Sequence, residues 1–255
     1  MGKIDIREIV DIAEIAGKAI LEVYHHEELF NLVDYKSDDS PLTLADKQSH
    51  EIIAAKLKEL YPGIPVLSEE GKNTPYEARK GWDRFWLVDP LDGTKEFIKR
   101  NGEFTVNIAL IEKGYPVLGV IHTPVTGITY GASKDEGAFR LEGNRQVKIN
   151  GPEKKDKDLV AVRSRSHASP EEEEVFGKFF VSGFVSVGSS LKFCMVAEGK
   201  ADLYYRHGPT MEWDTAAGQA IVEEAGCTMV NLMTKKRFRY NKESLLNPGF
   251  MVDKK

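Results

Sequence analysis

The feature that most limits the fold of this chain is a series of short apolar segments between residues 85 and 141, each followed by a turn signal. Turns are indicated at Glu112–Gly114, at Pro124 and at Asp135–Gly137, where glycine or proline interrupts the apolar pattern. Linkers this short join neighbouring strands, so the pattern predicts an antiparallel meander. The predicted strands are Phe85–Val88, Phe104–Ile111, Val117–His122, Ile128–Ala132 and Gly137–Leu141.

Helical periodicity precedes the meander, and alternating elements follow it. Apolar residues spaced three and four apart predict helices at residues 5–25 and 43–60, and Val66-Leu67 is a short strand candidate. The polar stretch 151–158 is the best boundary, giving an N-terminal α+β subdomain (1–150) and a C-terminal α/β subdomain (151–255). Beyond it the alternation is typical of an α/β layer. The predicted elements there are strands Leu159–Arg163, Phe184–Val187 and Asp202–Tyr205, with helices Pro170–Phe180, Leu191–Glu198 and Asp214–Ala225.

Charge and cysteine content exclude several classes of function. The formal net charge of −5 provides no bulk basic field for nucleic acid or for an anionic membrane surface. Cys194 and Cys227 have no neighbours at metal-ligand spacing and are expected to be reduced thiols. Acidic residues interrupt any secretory apolar run near the N-terminus, and no stretch reaches the length of a membrane span. A cytoplasmic protein is therefore expected.

The most informative segment for function is Asp89-Pro90-Leu91-Asp92-Gly93-Thr94, which directly follows a predicted buried strand. Pro90 disfavours the helical region for Asp89, so Asp89 is expected to end the strand. Two carboxylates emerging together there repel each other unless a cation lies between them, and magnesium prefers such oxygen ligands. The alternative is an Asx-type turn with solvated aspartates, and the segment alone does not decide between the two.

Further acidic residues occur at comparable positions along the chain. Glu69 and Glu70 follow the short strand candidate, and Asp214 opens an alanine-rich helix. Asp46 forms a capping-box pattern with Thr43. Each residue has a simpler interpretation, as surface charge for the glutamates or as a helix cap for Asp214. Periodicity does not show whether these distant residues converge.

The long motifs resemble those of a known family. Asp-Pro-Leu-Asp-Gly-Thr together with Trp-Asp-Thr-Ala-Ala-Gly is similar to the paired signature of the inositol monophosphatase superfamily. Segments 86–98, 101–110, 188–194 and 246–250 resemble its branch of CysQ-type 3'(2'),5'-bisphosphate nucleotidases. The resemblance implies a layered αβαβα sandwich with metals in a cleft between two subdomains. It also implies hydrolysis of 3'-phosphoadenosine 5'-phosphate to AMP and phosphate, which clears a by-product of sulfate assimilation.

The resemblance assigns roles to particular residues. Glu69, Asp89 and the backbone carbonyl of Leu91 would bind one magnesium ion, and Asp89, Asp92 and Asp214 a second. The family often binds a third, weaker magnesium near the first acidic ligand, and it is inhibited by lithium. Asp46 and Thr94 would orient or deprotonate the attacking water, with Glu69 near it. Gly93 and Thr94 would donate hydrogen bonds to the phosphate.

Substrate selection depends on other residues. Gly188-Ser189-Ser190-Leu191-Lys192 resembles the nucleotidase segment for the second phosphate and the nucleoside, with Ser189, Ser190 and Lys192 as contacts. Hydroxyls and a lysine at a helix start make an anion site, although an ordinary capping turn gives the same pattern. Further substrate-binding candidates are Arg165, His167 and Arg206.

Two alternative functions remain open at the level of sequence. One is another phosphatase of the superfamily, acting on inositol phosphates or on fructose 1,6-bisphosphate, which the Gly-Ser-Ser-Leu-Lys segment argues against. The other is a sensor that binds a phosphorylated nucleotide without cleaving it, although every matched position is intact. A homodimer is a further open expectation. Loose association with the inner membrane is raised by the resemblance, with no anchoring feature in the sequence.

Overall fold

The computed structural model describes residues 4–35, 41–71, 74–164 and 170–254. The helices in these ranges are α1 (Ile6–His25), α2 (Glu27–Phe30), α3 (Leu44–Leu60), α4 (Tyr76–Arg79), α5 (Thr94–Ile98), α6 (Pro170–Lys178), α7 (Leu191–Ala197) and α8 (Glu212–Glu224). The strands up to the subdomain boundary are β1 (Val33–Tyr35), β2 (Pro41–Thr43), β3 (Val66–Ser68), β4 (Arg84–Asp92), β5 (Thr105–Glu112), β6 (Tyr115–Thr123), β7 (Ile128–Ser133), β8 (Gly137–Glu142) and β9 (Arg145–Ile149). Those beyond it are β10 (Leu159–Ser164), β11 (Val181–Val187), β12 (Leu203–Arg206), β13 (Thr210–Met211), β14 (Cys227–Asn231), β15 (Leu246–Asn247) and β16 (Phe250–Lys254).

The predicted meander forms most of a seven-stranded sheet with the order β3-β4-β5-β6-β7-β8-β9 in the described part of the chain. Strand β3 runs parallel to β4, and the remaining neighbours pair antiparallel. Strand β9 was missed because it is short and exposed except at Ile149, so its apolar alternation is confined to Val147 and Ile149.

A second sheet contains the alternating elements of the C-terminal half. Its order is β11-β10-β12-β16-β14, with β10 parallel to both of its neighbours and β16 antiparallel to β12 and β14. The sequence predicted β10, β11 and β12 but not the antiparallel additions β14 and β16. The division at residue 150 separates the strands of the two sheets and stays a prediction, since one apolar core is shared between them.

The helices and sheets form five layers, which pack together through three apolar cores. Helices α1 and α3 cover one face of the larger sheet, where Trp86, Val106 and Val120 are fully buried. Helices α7 and α8 lie between the sheets, in a core that joins residues of both. Helix α6 packs on the outer face of the smaller sheet through Phe176. The predicted αβαβα sandwich is confirmed.

Strand β4 does not end at Asp89, so that prediction was wrong. The strand continues to Asp92, with a shift of register against β5 between Asp89 and Asp92. On its other side β4 pairs with β3 only as far as Val88, so the missing N–H of Pro90 breaks no ladder there. The register shift lies between Asp89 and Asp92, so both carboxylates are near the C-terminal end of the same strand.

Helix α8 begins two residues earlier than predicted, at Glu212. Asp214 is therefore its third residue, and its carboxylate accepts a hydrogen bond from the backbone N–H of Met211 at 2.8 Å. This bond still fixes the carboxylate in space, although the residue is not the N-cap. The capping box of Thr43 and Asp46 at the start of α3 is confirmed. Within the described residues, no helix is both long and apolar enough to span a membrane.

Candidate functional site

A cavity of about 350 Å³ opens where the two sheets meet the start of α8, and we call it the cleft. Most predicted site residues line it: Glu69, Asp92, Gly93, Thr94, Ser189, Ser190, Lys192, Arg206 and Asp214. A larger cavity of about 770 Å³ lies at the other end of α8 and contains none of them. We therefore place the candidate site in the cleft, on the chemistry of its lining and not on size.

Acidic side chains from distant parts of the chain converge beneath and around the cleft. Asp89 is buried, and burial raises the pKa of its carboxyl group well above the usual range, with the charges of Glu69, Asp92, Asp214 and Asp46 adding to the shift. Burial also raises the pKa of Asp214, and Asp92 is the next largest cause. The convergence that sequence periodicity left open is therefore a property of the fold.

The donor atoms gathered here fit a hard divalent cation. They are carboxylate oxygens, which magnesium prefers as ligands, and the backbone carbonyl of Leu91 stays a predicted addition to them. A cation among these carboxylates would also offset the repulsion that raises the pKa of Asp89. No group of three or more His, Cys, Asp or Glu side chains in the described ranges is already arranged to hold a metal ion. The fit therefore rests on donor chemistry and not on a preformed coordination geometry.

Asp46 and Thr94 form a hydrogen-bonded pair beside these carboxylates. The hydroxyl of Thr94 donates to Oδ1 of Asp46 at 3.2 Å, while Oδ2 of Asp46 accepts the backbone N–H of Thr43 at 2.7 Å. Thr94 is placed by Gly93, which precedes α5 with φ +94°, a conformation that favours glycine. The two residues assigned to water orientation therefore lie together.

Ser190 connects Asp92 to the rest of the site. Its hydroxyl, which is buried, donates to Oδ2 of Asp92 at 2.5 Å and accepts from the side-chain amide of Asn107 at 2.7 Å. The same hydroxyl lies 3.2 Å from the backbone carbonyl of Asp214. Ser190 thus supports the carboxylates, and its contact with substrate stays a prediction. Asn107 was missed, although a polar residue inside an otherwise apolar strand is a detectable signal.

Lys192 lies within the wall of the cleft and is only 6% exposed. Its ammonium donates to the backbone carbonyl of Ser189 at 2.6 Å and lies 5.8 Å from the ring centre of Tyr204. Burial lowers the pKa of Lys192 to about 8, Asp92 opposes that shift, and Arg206 adds to it. Burial thus removes more hydration from this ammonium than its contacts within the protein replace.

Arg206 and Thr210 contribute unpaired polar atoms to the same wall. The Nε of Arg206 and the hydroxyl of Thr210 are buried and have no hydrogen-bond partner among the described residues, and both residues line the cleft. Buried polar groups usually have partners, so these two are candidate ligand contacts. Thr210 had no signal in the sequence. Arg165 and His167, the other predicted substrate contacts, lie outside the described residues.

Fold and site together define a class: a five-layered αβαβα sandwich whose central cleft presents carboxylate oxygens next to the basic side chains of Lys192 and Arg206. The profile of the inositol monophosphatase family matches residues 5–252. The chain belongs to this family.

Curated relatives match over nearly the whole length. The chain is 46% identical over 246 residues to the 3'(2'),5'-bisphosphate nucleotidase CysQ of Escherichia coli K12, covering 96% of this chain and 98% of the relative. It is 47% identical over 248 residues to the protein of the same name from Salmonella typhimurium, covering 97% and 98%.

Solved structures share the fold. The crystal structure of CysQ from Bacteroides thetaiotaomicron, described as a bacterial member of the inositol monophosphatase family, superposes with a TM-score of 0.86 at 45% identity, covering 97% of this chain and 96% of that one. The Thermotoga maritima IMPase superposes with a TM-score of 0.79 at 21% identity, covering 97% and 91%, which shows the fold alone.

Proposed function

We propose that this protein is a magnesium-dependent 3'(2'),5'-bisphosphate nucleotidase that hydrolyses 3'-phosphoadenosine 5'-phosphate to AMP and phosphate. The observation that carries the proposal is the full-length similarity, at 46–47% identity, to relatives bearing that name. The cleft supports it, because carboxylates and the cationic side chains of Lys192 and Arg206 line one cavity, as a substrate with two phosphates requires. The cellular sense would be removal of a by-product of sulfate assimilation.

In this proposal the carboxylates hold the cations. Glu69, Asp89 and the carbonyl of Leu91 hold one magnesium ion, and Asp89, Asp92 and Asp214 hold a second. When bound, such ions neutralise phosphate charge and make a water molecule more acidic. The third, weaker ion and inhibition by lithium are finer parts of the same proposal. A lithium titration at fixed magnesium, with sodium as the control, tests the latter, and equal responses to both salts would count against it.

Thr94 and Asp46 move the proton in the chemical step. Because the Thr94 hydroxyl donates to Asp46, its lone pairs are directed away from that carboxylate and can accept a proton from the attacking water. The water oxygen forms the new bond to phosphorus as the ester bond to the ribose 3'-oxygen breaks, and AMP leaves with that oxygen, which takes up a proton from solvent. The water proton passes to Thr94 as the Thr94 proton passes to Asp46. Backbone N–H groups at Gly93 and Thr94 hold the reacting phosphate.

The second phosphate and the nucleoside bind in the part of the cleft lined by Gly188, Ser189 and Ser190, next to the loop of the reacting phosphate. Lys192 and Arg206 provide the positive charge there, with Ser189 and Ser190 beside them. A charge-assisted hydrogen bond contributes about 1.5–3 kcal/mol. Contacts of Arg165 and His167 with the substrate stay predictions. A cytoplasmic location, loose association with the inner membrane and a homodimer also stay predictions.

A phosphate-release assay with the purified protein tests the proposal. The panel is 3'-phosphoadenosine 5'-phosphate, its 5'-phosphosulfate analogue, AMP, inositol 1-phosphate and fructose 1,6-bisphosphate, each with magnesium and again with EDTA. We expect the highest kcat/KM for the first of these, with no turnover in EDTA. A preference for inositol 1-phosphate would replace the proposal with its nearest rival. Binding of the nucleotide without turnover would indicate a sensor.

A further inference from the structure

Glu103 lies between α5 and β5 and contacts the segment Gly188–Lys192, although no role in the reaction has been assigned to it above. We infer that Glu103 is a positioning residue that sets the selectivity of the cleft for substrates with a second phosphate. It does so by fixing the segment that carries Lys192. The inference rests on the proposed function and names one determinant of its specificity.

Glu103 contacts this segment through both its side chain and its backbone. Oε2 of Glu103 accepts the backbone N–H of Gly188 at 2.8 Å, and the backbone carbonyl of Glu103 accepts the hydroxyl of Ser189 at 2.9 Å. These bonds join a loop of the N-terminal half to the segment just before α7. Glu103 is itself held by Asn101, whose side-chain oxygen accepts its N–H at 2.9 Å.

The two glycines at this junction are closely packed against Glu103 and Ser189. A Cβ on Gly188 would lie 2.8 Å from the backbone oxygen and 3.0 Å from the Cβ of Glu103. A Cβ on Gly93 would lie 3.1 Å from the Cβ of Ser189 and 3.3 Å from the oxygen of Glu103. We call Gly188–Lys192 the selecting segment. It is therefore in contact with both Glu103 and the Gly93 loop that is proposed to bind the reacting phosphate.

The selecting segment is strained, so its shape depends on such contacts. Ser189 has φ +39°, a left-handed conformation that non-glycine residues rarely adopt. The bonds from Glu103 hold one side of this turn, and the ammonium of Lys192 holds the Ser189 carbonyl on the other. Without the Glu103 carboxylate, Gly188 loses its acceptor and the turn can relax. The ammonium then loses its fixed position relative to the reacting phosphate.

The test compares Glu103→Ala and Glu103→Gln with Glu28→Ala, an exposed residue of α2 that gives the same change in charge. The kcat/KM of each variant is measured for 3'-phosphoadenosine 5'-phosphate and for inositol 1-phosphate. We expect Glu103→Ala to lower the first about tenfold to a hundredfold, as loss of one charge-assisted contact implies. The second should change less than about threefold, because its single phosphate does not use Lys192. Glu103→Gln keeps an acceptor oxygen and should restore most of the selectivity, and Glu28→Ala should match the wild type.

Equal losses on both substrates, or no loss on either, would overturn the inference. Hydrogen exchange provides a readout that does not depend on activity: peptides covering 188–192 should exchange faster in Glu103→Ala, while α1 should not change. If the wild type cleaves no bisphosphate, the proposed function fails. Hydrogen exchange then still tests whether Glu103 holds the segment 188–192. Unchanged exchange at 188–192 would show that Glu103 does not hold the segment.

Discussion

Asp89 lies on a buried part of β4 among several other acidic groups, so its charged form is disfavoured in the protein alone. Burial is the largest cause of its raised pKa, followed by Glu69 and then Asp92. Removing the charge should therefore stabilise the metal-free protein, even though it removes a proposed magnesium ligand. Function and stability oppose each other at this residue.

Replacing Asp89 or Asp92 by Asn keeps the shape and removes the charge proposed to hold magnesium. We expect turnover to fall at least about a hundredfold, or roughly 3 kcal/mol, in either variant. For Asp89→Asn we also expect a higher Tm in EDTA and a smaller rise on adding magnesium, both measured by thermal melts. Asp11→Asn, an exposed change on α1, serves as the control. Near-normal rates for both variants at limiting magnesium would contradict the two-ion assignment.

Replacing Thr94 by Val removes the hydroxyl that donates to Asp46 while keeping the volume. If Thr94 transfers the proton, kcat should fall about a hundredfold to ten-thousandfold with little change in KM. Steady-state kinetics with the bisphosphate measure both constants, and Thr234→Val on an exposed loop is the matched control. A variant that raised KM alone would make Thr94 a binding residue.

His122 makes the protein sensitive to acid at a point away from the cleft. It is buried, its Nδ1 lies 2.8 Å from the hydroxyl of Thr129, and burial lowers its pKa to about 4, with Lys18 adding to the shift. The folded pKa is below the unfolded one, so the neutral ring stabilises the fold above pH 6.5 and this contribution is lost as the pH falls towards 4. The loss should reach about 3 kcal/mol.

Urea unfolding at pH 7 and pH 4.5 measures this effect, with His122→Gln as the comparison. The wild type should lose more stability between the two pH values than the variant, because glutamine does not titrate. Equal losses would assign the acid sensitivity to other groups.

At the scale of elements, helix α8 begins at Glu212, whereas the sequence predicted its start at Asp214. Glu212 is fully buried, and its carboxylate accepts the backbone N–H groups of Asn241 at 2.7 Å and Lys242 at 3.1 Å, together with the ammonium of Lys242. These partners come from a loop far along the chain. Local propensity favoured Asp214 as the first residue, and a tertiary contact moved the start to Glu212.

Removing Glu212 should therefore destabilise the protein more than removing an ordinary surface glutamate. Glu212→Ala removes the acceptor of two backbone N–H groups and the carboxylate partner of Lys242, whose ammonium keeps its bond to Asn247, and we expect a loss of about 3 kcal/mol or more. Glu77→Ala, which breaks an exposed pair with Lys80, should cost less than about 1 kcal/mol. Urea midpoints measure both, and similar midpoints would show that the buried pair contributes no more than a surface one.

Elements whose signals are local were predictable, and those formed by pairing were not. The capping box of Thr43 and Asp46 and the periodic face of α1 are written in consecutive residues, and both are present. The register shift of β4 is defined against β5, a strand that follows it in the chain, and no local window shows it. Strand β9 had a local signal that was missed, because Gly143-Asn144 joins it to β8 as a two-residue hairpin loop.

At the scale of the whole molecule, the cleft exists because α8 reaches from one sheet to the other. Its first turn carries Asp214, and along its length it packs against β6 of the larger sheet and β14 of the smaller one. The sequence predicted which carboxylates matter only through family resemblance, because Asp89 and Asp214 meet across two layers. Hydrophobic periodicity describes one helix or strand at a time, so it does not show which residues of different layers come into contact.

Gly119 on β6 sets how closely α8 approaches the larger sheet. A Cβ there would lie 2.5 Å from the backbone oxygen of Ala217 and 2.9 Å from the Cβ of Ala220, and backbone does not yield as a flexible side chain would. Gly119→Ala should therefore push α8 from the sheet and destabilise the protein by about 1–3 kcal/mol. Because α8 also positions Asp214, the magnesium concentration for half-maximal activity should rise in parallel. Gly81→Ala is the matched control, since a Cβ there meets nothing within 4 Å. Urea unfolding and magnesium titrations of both variants measure the two effects; a Gly119→Ala protein with lowered stability but an unchanged magnesium requirement would show that the cleft tolerates movement of α8.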